Sequence, residues 1–247
     1  MPAESRPDQQ ARPTGSTWPG EALGTVLVTG GASGLGAAIA AAVEADGGTP
    51  VVLDRVPPPN GFAFHRVDLA RPREAEAVVR AIADERGGLD AVVTAAGTDA
   101  CGDILEVDPD AWDRVVAVNL LGTAAVVRAA LPALERSRGR VVTVASTLGL
   151  RALPAATAYC ASKFGVVGFT RALAAELGDR VGVTLLVPGG MKTHFFDDRP
   201  EDFKPAPDQL LNDPADVART VVFALRQPAG CELRELVVAP AGEPSWP

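Results

Sequence analysis

The stretch from Thr25 to about Ala45 restricts the fold more than any other part of the chain. Thr25–Thr29 (Thr-Val-Leu-Val-Thr) is a short apolar run rich in β-branched residues and reads as a buried strand. Gly30-Gly31-Ala32-Ser33-Gly34-Leu35-Gly36 follows, and then an alanine-rich helix. Strand, glycine turn and helix form the context in which a glycine motif marks a dinucleotide site. Glycine lets the backbone turn tightly and approach a pyrophosphate. The helix start then offers free N–H groups and the positive end of its dipole. The spacing here is Gly-x-x-x-Gly-x-Gly. A plain strand–helix turn is the simpler alternative, but it has no need of four glycines in seven residues. Gly30, Ser33, Gly34, Leu35 and Gly36 are therefore candidate cofactor contacts.

The same strand-then-turn pattern repeats along the chain. Val51-Val52-Leu53-Asp54 is a second strand ending in an acid, 24 residues after Gly30. That is close to where a carboxylate accepts hydrogen bonds from the adenine ribose. Its charge repels a 2′-phosphate, which favours NAD over NADP, while Arg55 pulls weakly the other way. A surface turn acid is the alternative role for Asp54. Phe62–Val67 reads as a third strand, leading into Asp68 and Leu69, and Arg73–Arg86 as an amphipathic helix. Leu89–Thr94 reads as a fourth strand ending in Ala95-Ala96-Gly97, small residues that permit close approach. Asp108-Pro109 caps a helix, with Trp112, Val115, Val116 and Asn119 on one face. Asn119 is thus an amide on an apolar stripe; it either pins backbone or holds a water or functional group. The helix is expected to continue over Leu120–Leu134, broken at Gly122.

Val141–Ala145 reads as a fifth strand that ends at Ser146, and Ala158–Leu177 as the helix after it. Tyr159 and Lys163 are four apart and share a face of that helix. A free phenol has a pKa near ~10, too high for a base at neutral pH. A neighbouring ammonium favours the phenolate, and a bound oxidised nicotinamide adds to that. Ser146 can hold a substrate oxygen beside the phenol. Taken alone, Tyr-x-x-x-Lys is common on ordinary surface helices. Val181–Val187 reads as a sixth strand ending in Pro188-Gly189-Gly190-Met191-Lys192-Thr193. His194–Leu211 has no clear period and lies where a loop covers the ligand crevice, so it reads as a substrate loop. His194 fits either a substrate contact or a surface histidine. Asp213-Pro214 caps a helix over Ala215–Arg226, and Leu236–Val238 is a last strand.

Composition narrows the rest. A chain of 247 residues suits one large α/β domain, and 47% hydrophobic residues with 5% aromatics make Ala, Val and Leu its core. A net charge of −8 without a basic stripe argues against nucleic acid. Cys101, Cys160 and Cys231 are widely spaced and form no metal motif. Cys160, with no histidine near it, reads as a small core residue rather than a reactive thiol. Residues 1–20 are rich in Pro, Gly and Ser and read as a disordered tail before a domain over 21–247. They contain no apolar signal segment, and the charge-free Ala22–Val43 is better read as strand–turn–helix than as a membrane span. A cytoplasmic protein with no membrane partner is the expectation.

From about Gly24 to the end the chain resembles the short-chain dehydrogenase/reductase family. The resemblance rests on Thr29-Gly30-x-x-x-Gly34-x-Gly36, Asp54, Asp68, Ala95-Ala96-Gly97, Asn119, Ser146, Tyr159-x-x-x-Lys163, and Pro188-Gly189 with Thr193. It implies a single-domain, doubly wound Rossmann-like fold, with a parallel sheet of about seven strands flanked by helices. It implies that Tyr159 is the general acid/base and that Ser146 orients the substrate oxygen. Lys163 would bind the nicotinamide ribose and lower the Tyr159 pKa, and Asn119 would hold a relay water. Asp68 and Leu69 would meet the adenine, and Pro188, Gly189, Met191 and Thr193 the nicotinamide end. Thr94 departs from the family, which usually has Asn before Ala-Ala-Gly. The implied activity is hydride transfer between NAD and a secondary alcohol or ketone, in a homodimer or homotetramer. Two rivals remain: a redox-neutral epimerase or dehydratase, distinguished by net NADH formation, and a non-catalytic NAD-binding protein, which has no need of the full Asn119, Ser146, Tyr159 and Lys163 set.

Overall fold

The computed structural model describes residues 22–228 and 230–246. The proposed tail over residues 1–20 lies outside them. Seven parallel strands form one sheet in the order β3-β2-β1-β4-β5-β6-β7. They are β1 (Thr25–Thr29), β2 (Thr49–Asp54), β3 (Ala63–Arg66), β4 (Ala91–Thr94), β5 (Arg140–Val144), β6 (Gly182–Pro188) and β7 (Glu235–Val238). The helices are α1 (Gly34–Ala45), α2 (Pro72–Glu85), α3 (Pro109–Val116), α4 (Thr123–Ser137), α5 (Thr157–Leu177) and α6 (Pro214–Leu225). Strand residues alternate faces, so each side of the sheet gains an apolar layer. Val26, Val28 and Val93 pack under α1 and α6, through Ile39, Val43, Val217 and Val221. Leu27, Val92 and Val141 pack under α2, α4 and α5, through Val79, Ile82, Val126 and Leu173. Burial on both faces explains why these strands read as continuous apolar runs.

Strand order reverses between β1 and β4, which both pair with one another at the centre. That switch opens a crevice outside the carboxyl ends of the strands. The register keeps those ends level: Thr29 lies beside Leu53 and Thr94, and Val144 beside Leu186. Residues that follow the strands therefore gather at one rim.

One local expectation needs correction. Gly122 does not break the helix. Pro109–Ser137 runs on without interruption, with one wide π turn over Ala117–Gly122. Gly122 is there for close packing: a Cβ would lie 2.8 Å from Leu69 Cβ and 2.9 Å from its carbonyl oxygen. This helix has the length and apolar composition of a membrane span. Its contacts with α2 and α5 account for that apolarity. The aperiodic loop after β6 also carries structure, two single 3₁₀ turns at His194–Phe196 and Glu201–Phe203. Elsewhere the caps behave as the sequence predicts. Asp108 accepts from the Ala111 N–H and Asp213 from the Ala215 N–H, each ahead of a proline.

Candidate active site

A cleft of about 810 Å³ runs along the rim. On one side the glycine turn sets its wall. Gly30 has φ +71°, and a Cβ there would lie 2.7 Å from Ala96 Cα. A Cβ on Gly36 would lie 2.2 Å from the Gly30 carbonyl oxygen. These contacts let the turn fold flat against the start of α1. Ser33 is the N-cap residue in extended conformation, and its hydroxyl makes no capping bond. Asp54 closes this side: Oδ2 accepts from the Ala32 N–H at 3.0 Å and Oδ1 from the Arg55 N–H at 2.6 Å. Arg55 itself is exposed. A flat, glycine-lined turn with a carboxylate at the next strand end fits the diphosphate and ribose of a dinucleotide. Asp68 is more committed than the sequence suggests. Burial raises its pKa, but the Ala70 N–H and the Arg114 guanidinium, at 3.0 Å, outweigh this and hold the carboxyl below its usual range.

Farther along, Ser146, Tyr159 and Lys163 come together. Tyr159 is 9% exposed and Lys163 4%, so neither is an ordinary surface residue. Ser146 follows β5, accepts from the Leu148 N–H at 3.2 Å and lines the same cleft as the phenol. Lys163 Nζ donates to the Val144 carbonyl at 2.9 Å and lies 5.6 Å from the Tyr159 ring centre. The expected electrostatics is corrected here. Burial pushes the Tyr159 phenol above its ordinary pKa, and the Ser146 hydroxyl only opposes that rise. Burial also lowers the Lys163 ammonium to about 8. Desolvation penalises both charged forms, so the protein alone favours the neutral phenol.

Asn119 sits within the π turn and is fully buried. Its Nδ2 donates to the Thr98 carbonyl at 2.9 Å and to Ser162 Oγ at 3.0 Å, and its Oδ1 accepts from the Thr98 N–H at 2.8 Å. Of its two sequence roles, the side chain performs backbone pinning. It fixes the loop after β4, and only one lone pair of Oδ1 is left for a water. Thr94, where the family usually has Asn, keeps a buried Oγ1 with no hydrogen-bond partner among the described residues.

The loop after β6 forms the far wall. Thr193 lies across the glycine turn, 3.5 Å from where a Gly34 Cβ would be. Phe195 packs at 5.6 Å against the Tyr159 ring. His194 lines the cleft with an 87% exposed side chain paired to Asp197. Cys160 is buried, as a core residue would be.

Sequence reasoning missed two clusters. Arg199 of this loop pairs with Asp99, next to the pinned Thr98. Glu243 and Ser245, close to the chain end, also line the cleft. Glu243 accepts from the Gly190 N–H at 2.9 Å and from Ser245 Oγ at 2.7 Å, and Ser245 Oγ meets Thr147 Oγ1 at 2.7 Å. This chain of bonds ties the C-terminal segment to both the Ser146 turn and the Pro188–Gly190 segment. The acids Asp99 and Glu243 gave no signal because neither belongs to a motif. An arginine among the phenylalanines of an otherwise acidic loop was the available clue to Arg199.

Residues 24–204 match the sequence pattern of the family described as short chain dehydrogenase. A D-beta-hydroxybutyrate dehydrogenase of Cupriavidus necator is 32% identical over 228 residues, covering 83% of this chain and 84% of its own. An actinorhodin polyketide ketoreductase variant solved with NADPH superposes with a TM-score of 0.77 at 29% identity, covering 87% of this chain and 95% of its own. A metagenomic short-chain oxidoreductase solved with NADP gives 0.75 at 26% identity, covering 89% and 98%. With the pattern matched over most of its length and the Ser146, Tyr159 and Lys163 side chains converging on a glycine-lined cleft, this chain belongs to the short-chain dehydrogenase family and is an oxidoreductase of that class.

Proposed function

We propose that the protein transfers hydride between a nicotinamide dinucleotide, NAD in preference to NADP, and a secondary alcohol or ketone. The observation that carries this reading is that Ser146, Tyr159 and Lys163 are all buried and line one cleft with the glycine turn, Tyr159 and Lys163 on the same helix face. A bound oxidised nicotinamide would supply the hydride acceptor, and its positive charge would oppose the desolvation of the Tyr159 phenolate. Tyr159 exchanges the proton of the substrate oxygen, and Ser146 holds that oxygen beside the phenol. Lys163 is fixed by the Val144 carbonyl, and its remaining N–H groups would hold the nicotinamide ribose. Phe195 covers the Tyr159 ring and helps keep water from it. Asn119 acts one step away by holding Thr98 and the rest of the β4 loop.

The choice of NAD rests on Asp54, whose carboxylate stands at the end of β2 where a 2′-phosphate would have to sit. NADP is the second reading, supported by the NADPH- and NADP-bound relatives and by Arg55 next to Asp54. One experiment tests both parts: turnover and cofactor affinity measured with NAD and with NADP for wild type and Tyr159→Phe. The Phe variant is expected to lose about 10²–10⁴-fold in kcat while binding cofactor as tightly as wild type. Full activity in that variant ends the assignment of Tyr159. Equal kcat/KM with the two cofactors ends the assignment of Asp54.

A further inference from the structure

Glu243 is a buried carboxylate without a cation. It is 8% exposed, and no lysine, arginine or histidine among the described residues pairs with it. Three donors hold it instead. The Gly190 N–H meets Oε2 at 2.9 Å, and the Ser245 N–H and hydroxyl meet Oε1 at 3.3 and 2.7 Å. Both oxygens accept and neither donates, the pattern of an ionised acid. Glycine makes room for it: a Cβ on Gly189 would lie 2.6 Å from Oε2. Taking an anion out of water is costly, and hydrogen bonds alone offset only part of that cost.

Its position identifies the missing cation. In the proposed reaction the substrate oxygen lies at Ser146 and Tyr159, and hydride transfer sets the nicotinamide ring against the carbon that bears it. The diphosphate belongs at the glycine turn after β1. The ring therefore falls between that turn and Ser146, beside the segment after β6, whose Thr193 faces Gly34. Glu243 is bonded to both borders of that space. It holds Gly190 directly, and through Ser245 Oγ it reaches Thr147 Oγ1, next to Ser146. It lines the same cleft. A charge acts through a dry interior without touching its partner, so contact with the ring is not required.

The other charges at this end leave the task to Glu243. Asp99 pairs with Arg199 and also interacts with the buried Lys163, so one carboxylate stands against two cations. His194 pairs with Asp197, Lys204 pairs with Glu201, and Asp198 is exposed, so water screens all three. An oxidised nicotinamide adds a further positive charge to a cleft already short of an anion. The reduced ring is neutral and adds none.

We infer that Glu243 supplies the balancing charge for the oxidised nicotinamide ring, and so makes the cleft favour the oxidised cofactor over the reduced one more than it would without this carboxylate. This rests on the dehydrogenase reading above. Glu243 then acts on the cofactor through its charge alone, and the C-terminal segment that carries it belongs to the active site.

The test is a binding ratio rather than a rate. Dissociation constants for NAD and NADH are measured by titration calorimetry on the full chain, for wild type, Glu243→Gln and Ser245→Ala. Glutamine keeps the size and an oxygen for the Gly190 N–H, and the Ser245 hydroxyl can turn to accept from its amide, so charge is the main loss. Ser245→Ala keeps the charge and removes the hydroxyl bonds. The ratio of the NADH constant to the NAD constant should fall about three- to tenfold in Glu243→Gln and stay within about twofold of wild type in Ser245→Ala. A wall that is merely loosened weakens both forms together and leaves the ratio alone. Glu243→Met, neutral and of similar length, takes the place of the glutamine variant if that one does not fold, with the same fall expected. An unchanged ratio in the neutral variant, or an equal fall in Ser245→Ala, overturns the inference. Turnover of a panel of secondary alcohols and ketones is followed separately. A shifted ratio without turnover upholds the role of Glu243 and counts against the dehydrogenase reading. Turnover with an unmoved ratio does the reverse.

Discussion

The two walls of the cleft are built by different means. The wall formed by the β1–α1 turn is made of backbone. Gly30 and Gly36 leave no room for side chains, and Asp54 fastens the turn from the neighbouring strand through the Ala32 N–H. The wall formed by the loop after β6 is made of side chains reaching across the molecule. Arg199 crosses to Asp99, Phe195 to Tyr159, and Glu243 ties Gly190 to the C-terminal segment. A backbone wall admits few changes and suits the part of a ligand shared by many enzymes. A side-chain wall can be rebuilt residue by residue, and substrate choice is made there.

Substitution can break that contrast. The largest effect is expected from Gly30→Ala on the backbone wall. A methyl group there meets Ala96 Cα at 2.7 Å and adopts a left-handed φ of +71°. At least ~1–3 kcal/mol of stability should be lost to strain, with cofactor affinity falling in parallel. Denaturant titration and cofactor binding measure both, and an alanine accepted without loss in either would show this wall to be as adaptable as the other.

Lys163 stands between the walls and tests the electrostatics of the seam. Burial lowers its pKa to about 8, whereas an unfolded lysine titrates near ~10.4. Between pH 8 and pH 10 the unfolded chain holds this proton more tightly than the folded one. Stability from this group therefore rises with pH, as a penalty present below pH 8 is relieved. Wild type should gain on Lys163→Met by up to roughly 2 kcal/mol over that window, read from urea midpoints at the two pH values. A constant difference between them would mean that the buried amine keeps an ordinary affinity for its proton.

The smallest effect belongs under the backbone wall. Thr94→Val keeps the side-chain shape and removes the unpartnered Oγ1, so stability should rise by about 1 kcal/mol. A loss of similar size in thermal melts would mean that the hydroxyl has a partner in solution.

Most of the fold was legible because its signals are local. The apolar β-branched runs, the glycine turn, and Asp108 and Asp213 ahead of proline each act within a few residues, and the structure keeps them with small shifts at the ends. The third strand is Ala63–Arg66 rather than Phe62–Val67, and the fourth starts at Ala91 rather than Leu89. The reading of Gly122 failed because a glycine that breaks a helix and one that lets a neighbour approach look the same in sequence. Only the nearness of Leu69 distinguishes them. The pairing of Asp99 with Arg199 joins residues 100 apart, and no periodicity carries such a contact.

Residue order alone was enough for the strands, the glycine turn ahead of its helix and the shared face of Tyr159 and Lys163, because strand period, turn chemistry and helix spacing are properties of neighbouring residues; the parallel sheet that gathers Gly30, Asp54, Ser146, Tyr159 and Lys163 on one rim was legible only through the family resemblance. Only tertiary structure decided the electrostatic state of that rim. A lysine four residues from a tyrosine suggests an acidified phenol. The packed protein instead strips water from both, and desolvation outweighs what their neighbours offer the charged forms. The far wall was decided in the same way, since whether the buried Glu243 meets a cation depends on every chain segment that packs around it.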